Sequence, residues 1–146
     1  IENIDEKKFK NYFDVVFLTW TLSATSEPIK TLEKVSKIIK KNGYVVIAES
    51  SRILVPPNYT LDYYFSLKQK INTFLDYPWR FSFNSLRNLL LLYDFKVVNF
   101  NDYVHNDNLV VIAQKSKNIL KKYKIDNYKT VYTFFKKWKK HTELFR

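Results

Sequence analysis

The sequence contains no cysteine and no methionine, and only one glycine and four prolines among 146 residues. Without cysteine there is no disulfide framework, no thiolate nucleophile and no cysteine metal site, which is compatible with the cytoplasmic location that we expect. The lone glycine, Gly43, excludes a glycine-rich, phosphate-cradling loop. No apolar run approaches the roughly 20 residues that cross a bilayer, and no secretory signal is visible, so we expect no membrane segment.

Positive charge dominates the sequence but is unevenly distributed. The formal net charge is +11. Residues 115–146 contain eleven Lys or Arg against two acids, whereas the preceding 114 residues contain fourteen bases and twelve acids. We therefore divide the chain into a nearly neutral α/β body, residues 1–115, and a basic, amphipathic helical tail, residues 116–146.

The stretch from Phe13 to Ser50 predicts a βαβ unit. Its apolar run VVFL is typical of a strand buried on both faces. After a polar loop, Ser26 is a candidate N-cap and Pro28 falls in the first helical turn. The helix then carries apolar residues at helical spacing, namely Ile29, Leu32, Val35, Ile38 and Ile39.

The end of this helix is predicted from Lys40 and Lys41, which would occupy its last turn. Asn42-Gly43 would then end the helix, where a left-handed residue is needed. Tyr44 to Ala48 forms a second apolar run. The two strands are expected to be parallel and joined by a right-handed crossover.

Two further segments follow this unit before the next strands. Pro56-Pro57 forbids regular structure in the loop from Glu49 to Asn58. Tyr59 to Leu75 has mixed helical spacing and predicts a helix that could cover a neighbouring pocket.

A second amphipathic helix is predicted from Ser82, as its cap, through Tyr93. Phe81 is placed for a hydrophobic staple against an apolar residue one turn inside that helix. Two β-rich segments follow, Phe95–Phe100 and Leu109–Ala113, and they most simply form an antiparallel pair.

The tail divides into two predicted helices. Ser116 to Lys124 is a short, lysine-rich helix candidate, and Asp126 is a candidate N-cap for a helix over Asn127–Lys140. One side of that helix carries apolar residues, namely Tyr128, Val131, Tyr132, Phe135 and Trp138. Two interpretations stay open: a helix docked through its aromatic stripe with solvated lysines, or a surface that meets phosphate.

Four segments together resemble the carboxyl half of class I S-adenosylmethionine-dependent methyltransferases. They are FDVVFLTWTL followed by EP, LEKVSKIIKKNGYVVIAES, YPWRFSFNSLRNLLLLYDFKVV and NLVVIAQK. The resemblance covers about Phe13 to Lys115. It implies a partial Rossmann-like sheet, with two parallel strands and a crossover helix followed by a closing antiparallel strand pair and, beyond it, the basic tail.

The resemblance implies S-adenosylmethionine as the cofactor of the intact protein. Relatives bind it mainly through a glycine-rich turn after their first strand, because only glycine lets the backbone approach the ligand so closely. Since Gly43 is already assigned to the helix end, we expect an amino-terminal half outside these residues. This chain alone should bind the cofactor weakly or not at all and should expose an unpaired sheet edge.

Candidate site residues lie after the two parallel strands, because ligands of open parallel sheets bind beyond the carboxyl strand ends. By resemblance, Thr19, Trp20, Thr21 and Leu22 would be cofactor-binding, although Trp20 could equally be a packing residue. The substrate-binding candidates are Glu49, Arg52, Trp79 and Arg80. Glu49 is alternatively an exposed strand-end charge or a salt-bridge partner of Arg52, and the last two are alternatively a structural aromatic and a helix-entry charge.

No catalytic residue is identified, and no metal site is predicted. Ser23 and Ala24 stand where many relatives carry an acid and a histidine, so that pair supplies no general base. His105 and His141 lie far apart in sequence without a partner at ligand spacing. Methyl transfer does not require such groups, because holding the acceptor in line with an already activated methyl can suffice.

Two functions remain at this stage. The first is part of a methyltransferase whose acceptor is a small or sugar-like molecule more than nucleic acid, because the body is almost neutral. The alternative is a non-catalytic α/β module that binds an acidic partner, such as nucleic acid or a phosphate-rich ligand, through the lysine-rich tail.

Overall fold

The computed structural model describes residues 3–50, 78–101, 108–117 and 119–143. Four strands and three helices lie in these ranges. In chain order they are β1 (Phe13–Thr19), α1 (Pro28–Ile38), β2 (Ile39–Ser50), α2 (Phe83–Leu92), β3 (Phe95–Phe100), β4 (Asn108–Lys115) and α3 (Tyr128–Glu143). Arg52 and the predicted helix Tyr59–Leu75 lie outside the described residues.

The four strands form one sheet in the order β1-β2-β4-β3. β1 and β2 are parallel, whereas β4 is antiparallel to both β2 and β3. The predicted parallel pair and the predicted antiparallel closing pair are therefore confirmed. The right-handed crossover between β1 and β2 stays a prediction.

α1 forms where the helical spacing predicts it, but both of its ends differ from the prediction. Glu27, and not Ser26, is the N-cap residue, and its side chain makes no capping hydrogen bond. Pro28 stands at the helix start, where its missing N–H has no cost. The helix ends at Ile38, so Lys40 and Lys41 belong to β2 and not to a last helical turn.

The predicted role of Gly43 as a helix stop is wrong. Between the pairs Phe13–Ile39 and Val15–Tyr44, β2 contains extra residues that form an irregular bulge in the parallel ladder. Asn42 takes the left-handed conformation there, with φ of 65°. Gly43 is needed for space instead, because a Cβ would lie 2.8 Å from the carbonyl oxygen of Asp14 on β1.

α2 begins as the sequence predicts. The Ser82 hydroxyl accepts a hydrogen bond from the Ser85 N–H, and Phe81 is buried in the same apolar cluster as Leu86, one turn inside the helix. The Phe83 ring stacks on Phe100 with centroids 4.1 Å apart and joins α2 to β3.

The apolar core lies on one face of the sheet, and both α1 and α2 pack against that face. Leu32 and Val35 of α1 share one buried cluster with Leu86, Leu89 and Leu90 of α2. The sheet contributes alternate residues to the same cluster, namely Leu18, Val45, Ile47, Leu109, Val111, Ala113 and Phe95. Since side chains alternate along a strand, the residues between these point to the opposite face of the sheet.

β1 forms an edge of the sheet within the described residues. Its continuous apolar run predicts burial on both faces, but only Leu18 is buried. Val15 and Phe17 point to the face opposite α1 and α2, and the Phe17 side chain is 68% exposed. The prediction of burial on both faces is therefore wrong for the described chain.

The segment between β4 and α3, residues 119–127, is a strap that runs along α2. The predicted helix Ser116–Lys124 is wrong, because the described residues of this segment are not helical. Asn88 donates to the carbonyl of Lys124 at 2.6 Å and accepts from its N–H at 3.0 Å. Arg87 donates to the carbonyl of Lys122. These contacts hold backbone groups that a helix would have paired internally.

The strap returns the chain to the amino end of α2. Asp126 accepts hydrogen bonds there from Ser82 at 2.5 Å and from Asn84 at 2.7 Å. The N-cap of α3 is therefore not Asp126, as predicted, but the neighbouring Asn127, whose side-chain oxygen accepts from the Lys129 N–H.

The aromatic residues of the α3 stripe whose burial the structure describes are not docked in the way that one interpretation predicts. Tyr128 and Tyr132 are 74% and 67% exposed, and Phe135 is also exposed. Across the described ranges, every helix falls short of the length and apolar character needed to cross a membrane.

Candidate functional site at the carboxyl strand ends

The carboxyl ends of β1 and β2 meet at one edge of the sheet, which we call the carboxyl edge. β1 ends at Thr19 and pairs there with Ala48 of β2. α1 and α2 both begin at this edge, because each helix runs antiparallel to the parallel strands. The amino ends of helices attract negative charge, so this edge favours anionic ligand groups.

A buried carboxylate organises the carboxyl edge. Glu49 is 1% exposed. One of its oxygens accepts the Leu22 N–H at 2.8 Å, and the other accepts the Ser23 N–H at 3.2 Å and the Ser23 hydroxyl at 2.5 Å. Three donors thus satisfy the two oxygens, and the loop after β1 is tied to the end of β2.

This geometry changes the interpretation of Glu49. It is not an exposed strand-end charge, as one alternative in the sequence predicts. The other alternative, a salt bridge to Arg52, stays a prediction, because Arg52 lies outside the described residues. Direct contact with a substrate stays a prediction, but both carboxylate oxygens face the loop. Such contact would require the loop to open.

Trp20 has a strained backbone at the first position after β1. Its φ is 50°, in the left-handed region that an aromatic residue rarely occupies. Its N–H donates to the carbonyl of Ala48 at 2.8 Å, which continues the ladder between β1 and β2 by one residue. The side chain is 48% exposed. Strain of this kind often marks a functional position.

The other predicted cofactor residues surround Trp20 but differ in accessibility. Thr19 is exposed and Thr21 is half-buried. The Thr21 hydroxyl donates to the carbonyl of Thr19 at 3.2 Å, which tightens the turn around Trp20. Leu22 is fully buried, and its N–H is already donated to Glu49, so it supports the loop from the core side.

The predicted acceptor-side residues come to the same edge. The Trp79 N–H donates to the carbonyl of Ser23 at 3.3 Å, so the segment before α2 lies against the loop that Glu49 holds. The Trp79 side chain is 43% exposed, and Arg80 is half-buried. The structure thus brings Thr19–Leu22, Glu49 and Trp79–Arg80 to one edge of the sheet.

Ser23 is a site residue that sequence reasoning noted only as a departure from relatives. Its side chain is 1% exposed, and its hydroxyl supplies the shortest contact to Glu49. The sequence feature that could have indicated this role is the single acid, Glu49, at the end of an apolar strand. A carboxylate buried there needs hydrogen-bond donors nearby. In the described part of the chain, no group of three or more His, Asp or Glu side chains could hold a metal ion.

Comparison with known proteins places this arrangement in a structural class. No protein-family model matches the sequence, and no curated protein matches it either. A methyltransferase from Thermotoga maritima superposes with a TM-score of 0.53 at 18% identity, covering 73% of this chain and 58% of its own. One from Methanosarcina mazei gives 0.54 at 18%, covering 75% and 62%.

The fold is that of S-adenosylmethionine-dependent methyltransferases. A further member of this fold is the Burkholderia thailandensis 1,6-didemethyltoxoflavin N1-methyltransferase, which holds 1,6-didemethyltoxoflavin and S-adenosylhomocysteine. It gives a TM-score of 0.52 at 13% identity, covering 79% of this chain and 48% of its own. The chain therefore spans about three fifths, or less, of the length of these methyltransferase-fold proteins.

Proposed function

We propose that this chain is part of an S-adenosylmethionine-dependent methyltransferase that acts on a small-molecule or sugar-like acceptor. The proposal rests on the methyltransferase fold together with the way in which the sheet is covered. In parallel sheets of α/β proteins, helices normally cover both faces. Here α1 and α2 cover one face, and the opposite face presents exposed apolar residues of β1.

The exposed edge of β1 is the single observation that carries the proposal. Among the described residues β1 pairs only with β2, and its Val15 and Phe17 side chains are exposed. Such an apolar strand is a poor edge for a complete sheet. We infer that further strands and helices of the same domain pack against β1 in the intact protein. That additional half would also supply the glycine-rich turn, because Gly43 lies at the opposite edge of the sheet.

The described residues fit one wall of a cofactor site. Trp20 offers an exposed indole at a strained turn on the carboxyl edge, and the Thr19 side chain lies exposed beside it. We assign Thr19, Trp20 and Thr21 to the methionine end of the cofactor, with the buried Leu22, Ser23 and Glu49 holding the shape of the loop. The cofactor supplies a methyl group already activated by its sulfonium, so these residues need only position it.

The acceptor would enter beside Trp79 and Arg80. The Trp79 N–H binds the carbonyl of Ser23 and the Trp79 side chain is half-exposed, so an aromatic residue borders the loop. The nearly neutral body favours a small acceptor over nucleic acid at this edge. No described contact favours the alternative of an acidic partner on the lysine-rich tail, where Lys121 is already paired with Asp94.

The test compares this chain with a longer polypeptide that includes the segment encoded before it. Binding of S-adenosylhomocysteine is measured by isothermal titration calorimetry. We expect the longer polypeptide to bind and this chain alone to bind weakly or not at all. In the longer form, Trp20→Ala should weaken binding by about tenfold, the size of one lost aromatic contact.

Tyr123→Ala is the matched control, because Tyr123 is 47% exposed but lies on the strap. It should leave S-adenosylhomocysteine binding unchanged. The proposal fails if the longer polypeptide does not bind the cofactor product, or if the Trp20 and Tyr123 variants lose affinity equally.

A further inference from the structure

The edge opposite the candidate site, which we call the amino edge, contains two adjoining cavities of about 360 and 540 Å³. They lie where β1 and β2 begin, where β4 ends and where α2 turns into β3. Asn11, Asp94 and Lys115 line both cavities, so the two form one continuous depression. Four separate chain segments converge on it.

Lysine dominates the lining of this depression. Seven lysines contribute to it, against two acids, Glu6 and Asp94. Both acids already have partners, since Glu6 pairs with Lys37 at 3.0 Å and Asp94 with Lys121 at 2.9 Å. The acids of the lining are therefore engaged in ion pairs and leave most of the positive charge uncompensated.

Helix ends explain some of these lysines. Lys115 donates to the carbonyls of Ser36 and Ile39, at the carboxyl end of α1. Lys37 lies in the last turn of α1, where a cation offsets the negative end of the helix dipole. Lys115 is partly desolvated, which disfavours its charged form and lowers its pKa. An anion nearby would stabilise that charge.

A further lysine of the lining, Lys40, pairs with Asp14 at 2.9 Å. The other four have no such explanation. Lys7, Lys10, Lys41 and Lys117 line the depression and have no ion pair with any described residue. Like charges that line one depression raise the energy of the folded chain unless a counter-ion is bound. Their convergence on a concave surface distinguishes them from lysines spread over a solvated face.

We propose that the amino edge binds the phosphate groups of a polyanion. Compact ammonium groups arranged around a cavity suit phosphate oxygens, which accept charge-assisted hydrogen bonds from several directions. The volume fits two or three linked phosphates, either of a free oligophosphate or of a nucleic acid backbone. This site is separate from the carboxyl edge and does not depend on the methyltransferase activity.

The test measures binding of inorganic tripolyphosphate and of a single-stranded oligouridylate to the full chain by calorimetry. We expect binding at about 50 mM salt that weakens steeply by about 200 mM, because counter-ions are released. A triple variant, Lys10→Glu with Lys41→Glu and Lys117→Glu, should lower affinity by at least about tenfold. If that variant does not fold, the Lys→Gln triple at the same positions replaces it.

The matched control reverses three exposed lysines of the tail, with Lys122→Glu, Lys129→Glu and Lys136→Glu. It changes the net charge equally but lies outside the depression, so affinity should fall by less than about threefold. If only the amino-edge triple loses affinity for tripolyphosphate, the ligand is a compact oligophosphate. If only the amino-edge triple loses affinity for oligouridylate, and tripolyphosphate does not bind, the ligand is a nucleic acid backbone. Equal losses in both triples, or no binding of either probe at low salt, would overturn the proposal.

Discussion

The two edges of the same sheet are built on opposite principles. At the carboxyl edge, one buried carboxylate, Glu49, satisfies three donors and fixes the loop after β1. At the amino edge, many exposed lysines surround a depression, and their ion pairs lie at the surface. The conformation of the loop at the carboxyl edge depends on a single carboxylate, whereas the positive charge of the amino edge is distributed over many lysines.

This difference follows in part from chain direction, which decides which helix ends, and so which sign of dipole charge, lie at each edge of the sheet. α1 and α2 point their amino ends toward the carboxyl edge and their carboxyl ends toward the amino edge. Helix dipoles then favour anions at the first and cations at the second. Lys115 donates to the carbonyl of Ile39 at the carboxyl end of α1, and Lys121 donates to that of Leu92 at the carboxyl end of α2, so both follow that rule. Apart from Lys37 in the last turn of α1, the remaining amino-edge lysines do not bind a helix end, so the helix dipoles do not account for them.

The largest effect is expected from Glu49. Glu49→Ala leaves the Leu22 and Ser23 N–H groups and the Ser23 hydroxyl buried without an acceptor, so we expect a loss of about 3 kcal/mol in the free energy of unfolding. Glu49→Gln keeps one acceptor and should lose roughly half as much. Chemical denaturation measures both.

Glu33→Ala provides the comparison for Glu49. It removes only a surface ion pair with Lys37, so we expect less than about 0.5 kcal/mol. Similar losses in the Glu33 and Glu49 variants would show that the carboxyl edge does not depend on its buried carboxylate.

A smaller loss is expected from Gly43→Ala, beside the amino edge. The added Cβ would meet the Asp14 carbonyl at 2.8 Å, and a backbone group of a paired strand cannot move aside cheaply. We expect a loss of about 2 kcal/mol, measured by chemical denaturation. Asn42→Gly is the control and should be neutral or slightly stabilising, because Asn42 already has a positive φ. A neutral Gly43→Ala would contradict the close approach of β1 and β2.

The strap should respond by about 1 kcal/mol. Asp126→Ala removes the acceptor of Ser82 and Asn84 at the amino end of α2, and each such hydrogen bond contributes on this scale. We expect faster proteolysis between residues 119 and 127, with the sheet protected in hydrogen exchange. Asp126→Asn, which retains an acceptor oxygen, should restore part of the protection. Uniform loss of protection across the sheet would mean that the strap is integral to the core.

The smallest change is expected for a single amino-edge lysine. Lys41→Gln removes one of several repelling charges and breaks no described ion pair, so stability should change by less than about 0.5 kcal/mol. Thermal unfolding at low and high salt measures it, and any gain should vanish when salt screens the repulsion. A large loss would show that this edge, like the other, depends on single residues.

The local patterns predict most elements but not their non-local contacts. The strands Phe95–Phe100 and Leu109–Ala113, and the cap at Ser82, follow from periodicity and capping chemistry alone. The bulge at Asn42-Gly43 does not, because Asn-Gly also ends helices and only the approach of Asp14 decides between the two. Lysine-rich residues 116–124 favour a helix locally, but Arg87 and Asn88 of α2 take the carbonyls of Lys122 and Lys124 that a helix would have paired internally.

The candidate site was predictable to a similar degree. The rule that ligands bind beyond carboxyl strand ends brings Thr19–Leu22 and Glu49 together before any coordinates are known. It does not predict that Glu49 faces the loop after β1, because that depends on how deeply the end of β2 is buried. The positive φ of Trp20 is also invisible in the sequence.

The exposed β1 strand has a practical consequence for handling this chain. Among the described residues, β1 pairs with β2 on one side and with no strand on the other. An apolar edge of this kind is a template on which a second copy can add. Preparations of these 146 residues should therefore aggregate as concentration rises, and a charged substitution at Phe17, such as Phe17→Lys, should keep them dispersed.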